Sequence, residues 1–261
     1  MDLAIAGRNA LVTGASMGIG YATAKELLAA GVNVALVARN AERLKTNAAK
    51  LPNPHHARIL TIDADMSLLS DVSHAVTSAQ AELGSIDILV NNAGATPSGG
   101  LELDDDVWLA AFNLKLMGYV RTARLALPMM RERQWGRIIN VIGLGAYQAN
   151  PQYLAGGAIN AALLAVTKTL AKTAASAGIT VNGVNPGPTA TPRWQELVRQ
   201  RAHASGRSIE DERAISMAKS PMGRAAQPEE VAALIAFLAS ERAGYTSGAL
   251  IGVDGAASTG F

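Results

Sequence analysis

The alternation of short β-branched runs with longer amphipathic segments constrains the fold more than any other feature of the chain. Strands that alternate with helices pair in parallel through right-handed crossovers, and this produces a doubly wound sheet. The strands are predicted at residues 10–13, 33–38, 58–62, 86–90, 136–142, 180–184 and 250–253. Helices are predicted up to residue 30, over 41–51, 69–83 and 153–176, and from about 105 onward. The sequence therefore predicts one α/β domain over residues 1–261 with a seven-stranded parallel sheet.

Composition excludes several classes of protein. Apolar residues make up 49% of the chain and charged residues 17%, so a large core and a sheet covered on both faces are expected. A formal charge of +2 gives no reason to expect a nucleic-acid partner. The absence of cysteine excludes disulfides and thiolate metal sites, and His55 and His56 have no carboxylate at ligand spacing, so no metal is expected.

The segment 186–227 is the one irregular region, rich in proline, arginine and small residues. It follows the sixth predicted strand. Ligands of open α/β sheets bind beyond the carboxyl ends of the strands, so this segment is interpreted as a lid over a substrate. A surface excursion without a role is the alternative. The charged residues in this segment favour the solvated face of an amphipathic helix over a site for an anionic substrate.

No part of the chain is expected to span a membrane. The longest apolar stretches fall well short of the roughly 20 residues that a bilayer requires, and the first residues do not resemble a secretory signal. A soluble, cytoplasmic protein is predicted.

A glycine-rich turn, Thr13-Gly-Ala-Ser-Met-Gly-Ile-Gly20, joins the first strand to the first helix. Glycines allow the backbone to turn tightly and to approach a pyrophosphate, whose charge then meets the helix N-terminus. A nucleotide-binding loop is therefore predicted, with a purely structural turn as the alternative.

The spacing of this turn resembles that of the short-chain dehydrogenase/reductases, a family of Rossmann-type fold. Further motifs of that family follow in the same order: Asn91-Asn-Ala-Gly94, Asn185-Pro-Gly187 and Val253-Asp-Gly255. The resemblance covers essentially the whole chain.

By this resemblance, four parts of the chain would surround a nicotinamide cofactor. They would contact the phosphates, the adenine, the ribose with the nicotinamide, and the carboxamide. The residues implied are, in that order, Gly14, Ala15, Ser16, Met17 and Ile19; Asp65 and Met66; Asn92, Ala93 and Gly94; and Thr189 and Thr191.

The end of the second strand decides between the two nicotinamide cofactors. Arg39 and Asn40 stand there without a carboxylate, and Arg39 occupies the position at which the family recognises the 2′-phosphate. Because guanidinium pairs well with phosphate, NADP(H) is predicted. Stacking of Arg39 on the adenine, with NAD(H) accepted as well, is the alternative.

The family's catalytic groups are only partly present. The resemblance places Tyr153 at the tyrosine position and Asn113 at the position of the asparagine that anchors a water relay. Gly157 stands at the lysine position, four residues after the tyrosine, and Gly143 at the serine position. Lys115, two residues from Asn113, is expected to point to a different face, so it is an unfavoured substitute.

Two further positions leave alternatives open. Tyr147 is either a substitute hydroxyl over the pocket or a packed loop aromatic. Gly156 and Gly157 either leave space beside the cofactor or permit close packing at a subunit contact.

Two functions are compatible with a complete cofactor site and an incomplete set of catalytic groups. The first is an NADP(H)-dependent oxidoreductase that reduces a small-molecule carbonyl, with Tyr153 as acid and Asn113 in support. Reduction is favoured because a tyrosine with an unperturbed pKa near 10 is about one part in a thousand ionised at pH 7. The second is a cofactor-binding pseudoenzyme with a structural, regulatory or sensory role. The apolar segments 158–170 and 232–238 also predict a homodimer or homotetramer.

Overall fold

The computed structural model describes residues 2–218 and 220–258. Its centre is a sheet of seven parallel strands in the order β3-β2-β1-β4-β5-β6-β7. The strands are β1 Asn9–Thr13, β2 Asn33–Ala38, β3 Ile59–Asp63, β4 Ile88–Asn91, β5 Gly136–Val141, β6 Ile179–Pro186 and β7 Leu250–Val253. The predicted Rossmann-type fold is confirmed, with strand ends that differ by one or two residues from the predicted ones.

Helices cover both faces of the sheet. They are α1 Gly18–Ala29, α2 Ala41–Ala48, α3 Leu69–Leu83, α4 Asp105–Ala111, α5 Gly118–Glu132, α6 Leu154–Ala174, α7 Pro192–Ser205, α8 Ile209–Ala218 and α9 Pro228–Leu238. One core lies between the sheet and α1, α2 and α9, and another between the sheet and α3, α5 and α6. Because both faces of the sheet are covered, all five side chains of β1 are buried. Its sequence therefore shows no alternation of apolar and polar residues.

The strand order reverses between β1 and β4. Successive strands from β1 to β3 run outward on one side, and β4 to β7 run outward on the other. At such a switch point the loops after two neighbouring strands diverge and leave a crevice at the carboxyl edge of the sheet. The glycine-rich turn after β1 and the Asn-Asn-Ala-Gly motif after β4 therefore face each other.

Helix α6 departs from one expectation. With the turn that follows it, it forms a segment, Leu154–Ala177, which is long and apolar enough by length and composition to cross a membrane, although no such stretch was expected. Its buried face, which includes Ala155, Ile159 and Leu163, packs into the core. The apolar composition is therefore that of a helix that covers a sheet.

The segment predicted to be irregular, 186–227, contains the helices α7 and α8. Thr191 begins α7, since its hydroxyl accepts a hydrogen bond from the Trp194 backbone at 3.1 Å. Glu212 of α8 accepts hydrogen bonds from Ser205 at 2.7 Å and Arg207 at 2.8 Å. The segment is thus less irregular than predicted, because these caps and ion pairs order a helical pair where an amphipathic helix was favoured.

Candidate active site

The glycine-rich turn is held in place by the end of β4. The Asn92 amide donates to the carbonyl oxygens of Thr13 and Gly14 at 3.0 and 3.1 Å. The Thr13 hydroxyl in turn accepts from the backbone N–H groups of Asn92 and Ala93, both at 3.0 Å. Gly14 has φ of +67°, a conformation that favours glycine. These contacts fix the path of the turn.

The turn leads into the N-terminus of α1, which lies at the floor of a cleft. Met17 precedes the helix and its side chain makes no capping hydrogen bond, so the first N–H groups lack a side-chain acceptor. A Cβ on Gly20 would lie 2.4 Å from the Gly14 carbonyl oxygen and 2.6 Å from the Asn92 amide nitrogen. Only glycine allows this close approach, and the resulting cradle of N–H groups fits a phosphate.

The cleft has a volume of about 430 Å³. Most of the residues predicted to contact a cofactor line it: Gly14, Ser16, Met17, Ile19, Arg39, Met66, Asn92, Ala93, Gly94, Thr189 and Thr191. Tyr153 also lines it. Four predicted residues do not: Ala15, Asn40, Asp65 and Asn113.

Two arginines stand at one end of the cleft. Arg39 lies at the end of β2, where it was predicted, and a carboxylate oxygen of Asp65 lies 3.9 Å from its guanidinium. Arg43, on α2, lines the cleft as well and was missed from the sequence. Asn40 caps α2 by accepting from the Arg43 backbone at 2.8 Å, which turns its side chain to the helix. The pair of guanidinium groups makes this end suited to a phosphate.

Tyr153 stands at the other end of the cleft. Its hydroxyl is hydrogen-bonded to that of Thr96, in the loop after β4. A Cβ on Gly156 would lie 2.1 Å from the ring carbon Cζ of Tyr153, so the ring rests on this glycine. Gly156 is therefore needed for the position of Tyr153, a third explanation beside the two considered from the sequence.

Residues 14–258 match the family model described as enoyl-(acyl carrier protein) reductase. The chain belongs to the short-chain dehydrogenase/reductase family. It is 36% identical over 252 residues to D-beta-hydroxybutyrate dehydrogenase of Cupriavidus necator, with 95% of this chain and 97% of that protein covered. It is 33% identical over 253 residues to the 3-oxoacyl-[acyl-carrier-protein] reductase FabG of Thermotoga maritima, with coverage of 95% and 97%.

A solved relative shows the same fold. L-sorbose reductase of Gluconobacter frateurii, in complex with NADPH and L-sorbose, superposes with a TM-score of 0.95 at 34% identity, and both chains are covered in full (100%). These relatives are oxidoreductases, and the family assignment supports the same class of enzyme for this chain.

Gly143, at the serine position, has a backbone conformation that disfavours any other residue. Its φ is +115°, which L side chains rarely adopt. Gly157, at the lysine position, differs, because a Cβ there would meet only the Gly145 carbonyl oxygen, at 3.2 Å. The backbone thus accounts for glycine at residue 143, whereas a side chain at residue 157 would need the Gly145 carbonyl to shift by a few tenths of an ångström.

Asn113 and Lys115 lie on a π-helical turn, Phe112–Met117, between α4 and α5. The Asn113 side chain faces a neighbouring groove, and its oxygen accepts from Arg121 at 3.4 Å. Lys115, by contrast, lines the cleft. The two side chains point to different faces, as expected, but the side that faces the cleft is that of Lys115, which was not expected. Both residues belong to the π-helical turn.

Tyr147 follows Gly143 in a short helical turn and does not line the cleft. Burial raises the pKa of its hydroxyl above the ordinary value. It is half-buried and lies outside the wall of the cleft.

Proposed function

We propose that this chain is an NADP(H)-dependent reductase that converts the carbonyl group of a small molecule to an alcohol. The observation that carries the proposal is the placement of the Tyr153 hydroxyl in the same cleft as the phosphate cradle, paired with the Thr96 hydroxyl. A hydroxyl pair in such a cleft can donate to a carbonyl oxygen while a cofactor lies along the glycine-rich turn.

The residues present fit the cofactor. The N-terminus of α1 would hold the pyrophosphate, and Arg39 and Arg43 the 2′-phosphate. Ala93, Gly94 and Thr189, which also line the cleft, would border the nicotinamide half. When bound, the cofactor supplies the hydride.

The chain's own groups would handle the proton and orient the substrate. Tyr153 would donate a proton to the carbonyl oxygen, and Thr96 would hold the phenol in position as the second hydroxyl. The Arg193 guanidinium donates to the Thr96 carbonyl at 3.0 Å, which fixes that loop against α7. Trp194 and Leu197 of α7 would form an apolar wall for the substrate, so α7 acts as the lid. Asn113 has no part in this proposal, since its side chain faces away.

A second candidate is an NADP(H)-binding pseudoenzyme. It is favoured by two specific observations, the lack of a side chain at Gly143 and at Gly157. Loss of one preorganised donor to a developing oxyanion costs about 10² to 10³ in rate, so an activated carbonyl is the expected substrate if the reductase is correct.

Turnover separates the two candidates. Purified protein is mixed with NADPH and a panel of activated ketones, diketones and 3-oxoacyl thioesters, and NADPH consumption is followed beside NADPH binding. Consumption that depends on a carbonyl compound supports the reductase. Saturable binding without consumption supports the pseudoenzyme, and absence of binding contradicts both.

Replacing Arg39 or Arg43 with alanine is expected to weaken NADPH binding about tenfold each, as loss of a hydrogen bond to a charged group would. NADH binding should change little, since it lacks the 2′-phosphate. Fluorescence titration with both cofactors measures this. Lys45→Ala is the matched control, because Lys45 is exposed on the same helix and does not line the cleft. Equal losses for NADPH and NADH would contradict the assignment.

We also infer a homodimer or homotetramer. The outer face of α6 carries Ala158, Ala161 and Ala165, all exposed, in a stripe suited to close helix packing. Light scattering at micromolar concentration tests this, and a monomer would contradict it.

A further inference from the structure

Lys115 is a buried cation in the wall of the cleft. Only 6% of the residue is exposed. Within residues 2–218 and 220–258, no carboxylate forms a salt bridge with it. Lysine is almost never buried this far without a charged partner, because the ammonium loses its hydration. Folding alone does not account for a lysine at this position.

The ammonium is held by two oxygens of neighbouring elements. It donates to the Ile142 carbonyl, at the end of β5, at 2.5 Å and to the Asn160 side-chain oxygen, on α6, at 2.8 Å. An ammonium has three N–H donors. The third finds no acceptor in the described part of the chain, and the lysine lines the cleft. One donor is thus free for a group that enters the cleft.

The residues that surround Lys115 leave space for its side chain. A Cβ on Gly94 would lie 2.9 Å from its Cδ and 3.0 Å from its Cγ, so the aliphatic stem passes directly over this glycine. The π-helical turn directs the side chain inward from its own helix. Such turns recur at functional sites.

The same part of the wall holds Tyr153. A Cβ on Gly145 would lie 2.7 Å from the Tyr153 ring carbon Cε1 and 3.3 Å from the Asn160 amide nitrogen. The tyrosine and the residue that holds the lysine therefore flank one glycine. A Cβ on Gly157 would lie 3.2 Å from the carbonyl oxygen of that same Gly145, a tight contact that a small shift of the turn would relieve.

We propose that Lys115 is the positioning cation of this active centre. From the π-helical turn, it supplies the charge and the N–H donor that Gly157 cannot supply from the family's lysine position. This inference rests on the proposed NADP(H)-dependent function. It also explains why residue 157 carries no lysine. Two ammonium groups in one buried wall would repel each other and would both lose hydration.

The lowered pKa of Lys115 indicates that burial of its charge destabilises the folded protein. Burial, together with the nearby charge of Arg193, lowers the pKa of Lys115 from 10.5 to about 7. The groups that titrate or carry charge around it are Arg193 on α7, Tyr153 at the start of α6 and Tyr119 on α5, whose pKa is raised by burial.

The sign of the linked stability change follows from that lowered pKa. Below about pH 7 the lysine is protonated in both the folded and the unfolded chain, so the full cost of burying the charge is present. The cost falls as pH rises from about 7 toward 10.5, because the folded protein then holds a neutral amine. Lys115→Met removes this cost. The Tm of the variant relative to the wild type should therefore be more favourable at pH 6 than at pH 10.

The test compares Lys115→Met with Lys115→Met/Gly157→Lys, which moves the ammonium to the family position. Lys115→Gln keeps an N–H donor for Ile142 and Asn160 without the charge, in case the methionine variant folds poorly. Lys168→Met, at an exposed position of α6, is the control. Each protein is characterised by its circular dichroism spectrum, its NADPH dissociation constant, kcat and KM.

We expect Lys115→Met and Lys115→Gln to weaken NADPH binding about tenfold and to lower kcat about 100-fold, as loss of one preorganised donor does. The relocated lysine should restore at least a tenth of the wild-type kcat and the NADPH affinity. Folded variants at residue 115 that match Lys168→Met would overturn the proposal, and so would a folded relocation variant without recovery. If the wild type itself does not turn over, the proposed function fails, while the NADPH affinities still test Lys115.

Discussion

Tyr153→Phe is expected to lower kcat about 10³-fold while the NADPH dissociation constant stays within about twofold of the wild-type value, in the range found for removal of a general acid. The substitution removes one oxygen atom. The phenylalanine ring can still rest on Gly156, and the Thr96 hydroxyl remains in the cleft without its phenol partner. Because the cofactor cradle lies at the other end of the cleft, affinity should be unaffected. Single-turnover consumption of NADPH with saturating carbonyl substrate measures the effect.

Tyr147→Phe is the matched control for this variant. It removes the same atom from a tyrosine six residues earlier that does not line the cleft, so kcat should remain within about twofold. Retained turnover in Tyr153→Phe would contradict the assignment and would leave water or another group of the cleft as the acid.

Gly20→Ala is expected to weaken NADPH binding about 100-fold, equivalent to about 2.8 kcal/mol. The added methyl group would lie 2.4 Å from the Gly14 carbonyl oxygen, so either the turn or the first turn of α1 must move. Overpacking of this kind also costs roughly 1–3 kcal/mol of folding free energy. Fluorescence titration gives the affinity, and urea denaturation gives the free energy of unfolding.

Gly84→Ala is the control that distinguishes loss of the phosphate-binding turn from loss of folding stability. Gly84 ends α3 with φ of +88° and open space around it, so alanine there strains the backbone by about 1–2 kcal/mol without contacting the cleft. It should bind NADPH as the wild type does. If the folded Gly20→Ala protein also binds NADPH normally, the cofactor does not lie along the glycine-rich turn.

Most of the fold could be predicted because its signals are local. The β-branched runs and the helical segments between them determine a parallel sheet through the handedness of the crossovers. An amphipathic helix was favoured in the segment 186–227, but the pair α7 and α8 was not predicted, because its order depends on contacts such as Arg207 with Glu212 across a turn. A segment rich in proline and arginine gives no such indication by composition alone.

The candidate site was predicted where backbone motifs define it. The glycine-rich turn and Asn92 occur at fixed positions after strands, and the structure places both at the cleft. Thr96 and Arg43 were missed, because their positions depend on the paths of a loop and a helix. The separation of Lys115 from the face of Asn113 was predicted, but its place in the wall of the cleft was not. Its place in the apolar run Leu114-Lys-Leu-Met117 was the available signal of a buried charge.

Transfer of a hydride from NADPH to a carbonyl carbon can be followed by isotope labelling. NADPH that carries deuterium in place of both hydrogens on the reactive carbon of the nicotinamide is mixed with excess protein and with the carbonyl compound that gives the fastest consumption. We expect one alcohol molecule for each NADPH oxidised, with deuterium on the former carbonyl carbon. Oxidation of NADPH without a deuterated alcohol, or tight binding without oxidation, would contradict this hydride transfer.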